Sequence, residues 1–194
     1  MQGARLTLSD IACQRGELLL FRGLSLNLQP GEALRLAGPN GCGKTSLLRI
    51  AAGLLRPLAG AVKIEGALRF LAERPALDDA IALRHALAFW SRIDASDRMD
   101  EAVAATGLER LLDLPLRFLS AGQRRRAGLA RLLLQPAAIW LLDEPLNALD
   151  EDWAECAQDI VARHCAVGGI ALVASHQPLA RLGCPVLAVA DFAP

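Results

Sequence analysis

Gly38-Pro39-Asn40-Gly41-Cys42-Gly43-Lys44-Thr45 is the stretch that decides the fold. It matches G-x-x-x-x-G-K-[ST] at every defined position. Ala33-Leu34-Arg35-Leu36-Ala37 before it predicts a short strand, and Ser46-Leu47-Leu48-Arg49-Ile50-Ala51-Ala52 after it predicts a helix ending near Gly53. Between strand and helix, glycines let the backbone curl until successive N–H groups converge on a polyphosphate, and the helix N-terminus adds partial positive charge. In that pattern Lys44 reaches the β- and γ-phosphates and the Thr45 hydroxyl ligates Mg²⁺. The chain is expected to bind a nucleoside triphosphate.

Composition narrows the class. The 194 residues suit one domain or a domain with a small lobe, and 53% hydrophobic residues suffice for a core without staples. Lys plus Arg and Asp plus Glu are both 21, so no net basic field is present to hold a nucleic-acid backbone. Five cysteines (Cys13, Cys42, Cys156, Cys165, Cys184) are scattered without a C-x-x-C pair, which favours reduced thiols over a disulfide frame or zinc site. The start does not resemble a signal peptide, and Leu129 to Leu142 is broken by Arg131, Gln135 and Pro136. Any contact with a membrane is expected to go through a partner.

Strands are expected at Arg5 to Ile11, Leu18 to Phe21 and Leu24 to Leu28, before the Gln29-Pro30-Gly31-Glu32 turn and the phosphate-loop unit. Short strands follow at Ala61 to Ile64 and Arg69 to Leu71. From about Asp79 to Leu119 the pattern turns helical, with Asp78-Asp79 and Asp94-Ala95-Ser96-Asp97 as candidate caps. A βα pattern then resumes: helix Gly122 to Leu134, buried strand Ala138 to Leu142, helix Asp152 to Cys165, strands Gly169 to Ala174 and Val186 to Ala190. The expected fold is α/β, a P-loop NTPase core with an N-terminal antiparallel β subdomain and a helical subdomain of about 77–120 inserted into a single 1–194 domain.

Two acids end the buried strand Ile139-Trp140-Leu141-Leu142. Asp143, at its carboxyl edge, is placed to hold Mg²⁺, and Glu144 to orient and deprotonate a water attacking the γ-phosphate. Some eighty residues after the loop, Leu119-Ser120-Ala121-Gly122-Gln123 opens a helix whose first turn offers a second phosphate-binding surface. That quintet resembles the signature of the ATP-binding-cassette (ABC) ATPases, of which L-S-A-G-Q is an accepted variant. With the phosphate loop and the Asp143-Glu144 pair, the resemblance covers nearly the whole length.

The resemblance implies a head-to-tail dimer with two ATPs between the copies. Gly38 to Ser46 would bind one ATP, and Ser120, Ala121, Gly122 and Gln123 would meet the ATP of the second copy. Asp150 in Asn147-Ala148-Leu149-Asp150 would stand at the dimer seam. His176 would be the switch histidine that senses the γ-phosphate, so Glu144, His176 and Lys44 form the implied catalytic set, with Thr45 and Asp143 for Mg²⁺. Two places depart from the family. Where its switch glutamine is expected, Phe70-Leu71-Ala72-Glu73-Arg74-Pro75 offers Glu73 or Arg74. Its adenine-stacking aromatic is missing, the chain has no Tyr, and Arg15 stands about where the ring belongs, able to stack a guanidinium on a base.

Arg124-Arg125-Arg126 point in three directions on a helix and are expected to serve a solvated helix rather than nucleic acid. Trp90 and Trp153 are expected to pack, Cys42 to be open to thiol reagents, and His85 and His164 to lie at the surface. Eighteen residues follow His176, fewer than in most transporter ATPases. With Ser175-His176-Gln177-Pro178-Leu179, this compactness resembles the branch serving the haem exporter of cytochrome c maturation. The branch implies a translocase ATPase, peripheral on the cytoplasmic face of the bacterial inner membrane. It would dock on the membrane subunit CcmB and act through it with CcmC, CcmD and CcmE, in haem export or in releasing haem-loaded CcmE. An ABC transporter ATPase for another cargo, such as lipoprotein or peptide, and a degenerate ATP-binding regulatory subunit are the alternatives.

Overall fold

The computed structural model describes residues 3–194, which divide into two compact units. The first comprises residues up to Phe70, Ala137–Glu144 and Gln158–Pro194. It holds two sheets. Strand β1 (Arg5–Arg15) runs antiparallel to β2 (Leu18–Leu28) on one side and to β4 (Ala59–Glu65) on the other. Alternation along the pair puts Leu6 and Leu8 opposite Leu28 and Leu26, all buried. The sequence suggests a break in the second strand at Arg22-Gly23; the structure carries the strand through. Register shifts after Leu8 and Ile11, with Asp10 at φ 53° and Gly23 at φ 71°, absorb the misfit as bulges.

The second sheet has the order β5 (Leu68–Leu71), β6 (Ile139–Asp143), β7 (Ile170–Ala174), β3 (Ala33–Ala37), β8 (Val186–Ala188). Strands β6, β7, β3 and β8 are parallel, and every residue of β6 and β7 is buried, as expected of strands covered on both faces. The pairing is flush at the carboxyl ends: Asp143 lies opposite Ala174, and Ala174 opposite Leu36. Gly38, Glu144 and Ser175 therefore all leave the sheet at one edge, the place where parallel α/β sheets bind ligands. Beneath it Leu36, Leu47, Leu48, Phe21, Leu141 and Leu172 share one core.

The second unit, Leu71–Pro136 with Pro145–Ala157, is helical. Helices α2 (Leu83–Ile93), α3 (Met99–Ala105) and α4 (Ala121–Leu133) share a core of Leu83, Leu87, Val103, Leu108, Leu116, Ala127 and Leu134. Helix α5 (Glu151–Ala166) begins in this unit. Both caps expected in this region stabilise turns instead of helix starts. Asp78 Oδ1 accepts from Ala80 N–H at 2.9 Å and Ser96 Oγ from Arg98 N–H at 3.2 Å, so α2 and α3 begin later, at Leu83 and Met99. The unit extends beyond 77–120 on both sides and takes in the segment after Glu144.

Candidate functional site

The phosphate loop runs from β3 into α1 (Lys44–Ala51), whose N-cap is Gly43. Gly43 has φ 108°, and a Cβ there would lie 2.7 Å from the Phe21 ring, so the loop is seated on β2 by a residue that only glycine can fill. The first turn of α1 carries no side-chain cap and no acidic residue, which keeps its N-terminal charge available to an anion. Lys44 is 7% exposed, and its ammonium donates to the carbonyls of Gly38 at 2.7 Å and Pro39 at 3.2 Å. Such ordered donation to neutral carbonyls is readily exchanged for phosphate. Asn40 and Gly41 are exposed at the tip, and Cys42 is half-buried.

The other half of this site comes from β6 and β7. Thr45 Oγ1 donates to Asp143 Oδ1 at 3.0 Å, and Asp143 is 2% exposed. A hydroxyl and a carboxylate meeting beside a phosphate loop is the donor set of a Mg²⁺ that takes its remaining ligands from phosphate and water, and these two residues fit it. Glu144 follows with φ 49°, an uncommon left-handed conformation made odder by the proline after it, and its N–H donates to Ala174 O at 2.8 Å. That turn lifts the carboxylate off the strand toward His176, whose Nδ1 lies 2.9 Å from Glu144 Oε2. Glu144, the Thr45–Asp143 pair and the phosphate loop thus stand together in the first unit.

The second unit carries the signature. Ser120 is the N-cap of α4: its Oγ accepts from Gln123 N–H at 3.2 Å while Gln123 Oε1 accepts from Ser120 N–H at 2.9 Å, a capping box. Ser120 and Ala121 are exposed. A Cβ on Gly122 would lie 2.6 Å from the Ala148 carbonyl, so the signature helix and the Asn147–Asp150 loop touch backbone to backbone. Asp150 Oδ1 accepts from Trp153 N–H at 2.9 Å, which caps α5.

The three arginines do point apart, and each has a structural partner. Arg124 reaches Asp79 Oδ1 at 2.9 Å, Arg126 donates to the Thr106 and Gly107 carbonyls and covers Trp153, and Arg125 is 5% exposed. The inward aim of Arg125 was available in the sequence: with Gly128, Leu129 and Leu132 it falls on an i, i+3, i+4, i+7 stripe. Trp90 packs under Arg131, whose guanidinium carbon is 3.7 Å from the ring centroid. His85 is exposed, but His164 is not at the surface. His164 is 6% exposed, and its ring stacks on Trp140 at 3.8 Å, over a Gly169 that leaves no room for a Cβ. Burial pushes the His164 imidazole below its ordinary value, against hydrogen bonds to the Ile170 and Ala138 carbonyls. Arg15, exposed, ends β1 two residues after Cys13, whose thiol hydrogen-bonds Ser46 in the first turn of α1.

Comparison with known proteins agrees with this geometry. A family described as ABC transporter matches residues 21–147. A protein of Novosphingobium aromaticivorans, cytochrome c biogenesis ATP-binding export protein CcmA, is 53% identical over the full length of both chains. The like-named protein of Rhodospirillum rubrum is 45% identical, over 95% of this chain and 85% of its own. Among solved structures, an ABC transporter ATP-binding protein from Pyrococcus furiosus superposes with TM-score 0.82 at 25% identity, covering 98% of this chain and all of its own. A metal-chelate type ABC transporter in an inward-facing conformation shares the fold with TM-score 0.78 at 22% identity, over 91% of this chain and 75% of its own.

Proposed function

The chain belongs to the ABC transporter family of ATP-binding proteins, and on that premise we propose that it is the ATP-hydrolysing subunit of a membrane complex for cytochrome c maturation. The observation that carries the hydrolytic part is the meeting of Thr45 and Asp143 at 3.0 Å, with Glu144 next in the chain and His176 on its carboxylate. The choice of branch is supported by 53% identity, end to end, with a protein named for cytochrome c biogenesis.

In this mechanism the N–H groups of Gly41 to Thr45 and the Lys44 ammonium bind the β- and γ-phosphates, the lysine exchanging its carbonyl partners for phosphate oxygens. Thr45 and Asp143 would hold Mg²⁺, which neutralises charge on the phosphates when bound. Glu144 takes a proton from a water as its oxygen bonds to the γ-phosphorus; the bond to the bridging oxygen breaks and ADP leaves with that electron pair. His176 orients the Glu144 carboxylate and, turned toward the nucleotide, reports the γ-phosphate. Arg15 would lie against the adenine.

Ser120, Ala121, Gly122 and Gln123 would complete the ATP site of a second copy, with Asp150 at the seam of a head-to-tail dimer. No helix among the described residues is long and apolar enough to cross a membrane. The membrane part would be CcmB, linked to CcmC, CcmD and CcmE, with this chain on the cytoplasmic face of the inner membrane. Exposed Phe89, Ile93, Leu114 and Phe118 in the helical unit support a protein partner there. The work done is haem export or release of haem-loaded CcmE. ATP turnover by the purified complex, with wild-type chain and with Glu144→Gln, tests the proposal. Turnover abolished by Glu144→Gln with ATP still bound is expected; equal turnover by both would refute Glu144 as the base.

A further inference from the structure

Helix α4 grips the segment Leu71–Pro75 at two points one turn apart. Arg125 is 5% exposed, and its guanidinium donates through Nη1 to Ala72 O at 3.1 Å and through Nη2 to Glu73 O at 2.7 Å. At Gly128 the helix backbone comes so close that a Cβ would lie 2.7 Å from Pro75 Cγ and 2.9 Å from Leu71 Cδ1. A rigid guanidinium fork on two successive carbonyls fixes two successive peptide planes. Those planes flank Glu73 and include the N–H of Arg74, so the backbone directions from which both side chains depart are set. Both residues line a cavity of about 640 Å³ shared with Ala121, Arg124, Arg125 and Asn147.

We propose that Arg125 is a positioning residue: it locks Glu73-Arg74, the pair standing where the family's switch glutamine is expected, to the helix that begins at Ser120. The pair and the signature serine then move as one piece, and ATP-linked displacement of either carries the other. This rests on the ATPase reading, because its catalytic consequence is a turnover effect. A buried arginine serving stability alone would be satisfied by any carbonyls; here Nη1 and Nη2 each donate to the segment standing where the family's switch glutamine is expected, and Gly128 presses the same segment from the next turn.

The test compares the full chain with Arg125→Met, Arg125→Lys and Gly128→Ala. In Arg125→Met, amide exchange in peptides spanning 71–77 should accelerate by ~10-fold or more with 38–45 unchanged. In the complex, kcat should fall ~10-fold or more while KM for ATP stays within about two-fold, the pattern of misplacement rather than lost binding. Arg125→Lys, which keeps the charge but not the fork, should recover part of kcat. Gly128→Ala, which leaves both hydrogen-bonding partners in place but displaces Pro75, should also lower kcat. If Arg125→Met does not fold, Arg125→Lys and Gly128→Ala decide. Unchanged exchange at 71–77, or faster exchange there with unaltered kcat, would overturn the proposal. A wild-type complex without turnover would instead sink the ATPase reading, and the exchange comparison alone would then decide the clamp.

Discussion

The imidazole of His176 and the carboxylate of Glu144 meet at 2.9 Å, Nδ1 to Oε2, with side chains 53% and 15% exposed. An ionised carboxylate has no proton to give, so Nδ1 is the donor and Nε2 is the nitrogen that remains for a phosphate. With Nδ1 on Glu144, the His176 ring leaves Nε2 on its far side. Replacing it by Ala should lower kcat by roughly 10²- to 10³-fold with little change in ATP affinity, measured by steady-state turnover and by equilibrium nucleotide binding.

Glu144 keeps a left-handed backbone, φ 49°, between Asp143 at the strand end and Pro145. In that conformation a Cβ is unfavourable by about 1–2 kcal/mol relative to glycine. Glu144→Gly should therefore melt higher than Glu144→Ala by roughly 2–8 °C, although both variants lack turnover. Thermal unfolding of the two side by side measures the strain directly.

Asp143 and Thr45 predict how ATP affinity depends on Mg²⁺. Asp143→Asn keeps the volume and an acceptor for the Thr45 hydroxyl but loses the charge. Binding of ATP to the wild-type chain should tighten when Mg²⁺ is added. In Asp143→Asn that gain should shrink by about 10-fold or more, with binding in chelator nearly unchanged.

His164 predicts a pH dependence. The folded state disfavours the imidazolium, whereas the unfolded chain takes up its proton near the ordinary value of about 6.5. The stabilising contribution is therefore complete above that pH and is lost progressively as pH falls below it. Denaturant unfolding from pH 8 to pH 5 should show a steeper decline for the wild type than for His164→Gln, which can still hydrogen-bond but cannot titrate.

Gly122→Ala would drive a methyl group against the Ala148 carbonyl, which is backbone and cannot rotate away. A loss of about 1–3 kcal/mol in unfolding free energy is expected, with Gly122→Ser at least as severe.

The placement of three motif stretches was legible because each is local. Gly38 to Thr45 has its own strand and helix, Asp143-Glu144 closes a run of apolar residues, and Ser120 with Gln123 spells out a capping box. Legibility failed where a residue is defined by a distant partner. His164 looks like any polar residue near a helix end, and only the fold lays it on Trp140 over Gly169. The bulges that join Leu18–Phe21 to Leu24–Leu28 depend on the neighbouring strand β1, which no local pattern of Arg22-Gly23 reveals. Asp78 and Ser96 are good capping residues that the chain spends on turns, because the Ala82–Pro115 bridge defers α2 and the first turn of α3 starts only at Met99. Arg125 was half legible: its divergence from Arg124 and Arg126 followed from helical geometry, but its carbonyl partners lie fifty residues back in the chain.

The most direct measurement of the central claim is a haem-stained gel of membrane c-type cytochromes from cells whose only copy of this chain carries Glu144→Gln. The stained bands should disappear while apocytochrome is still made. Bands of wild-type intensity would contradict it, and would leave an ABC ATPase whose work lies elsewhere.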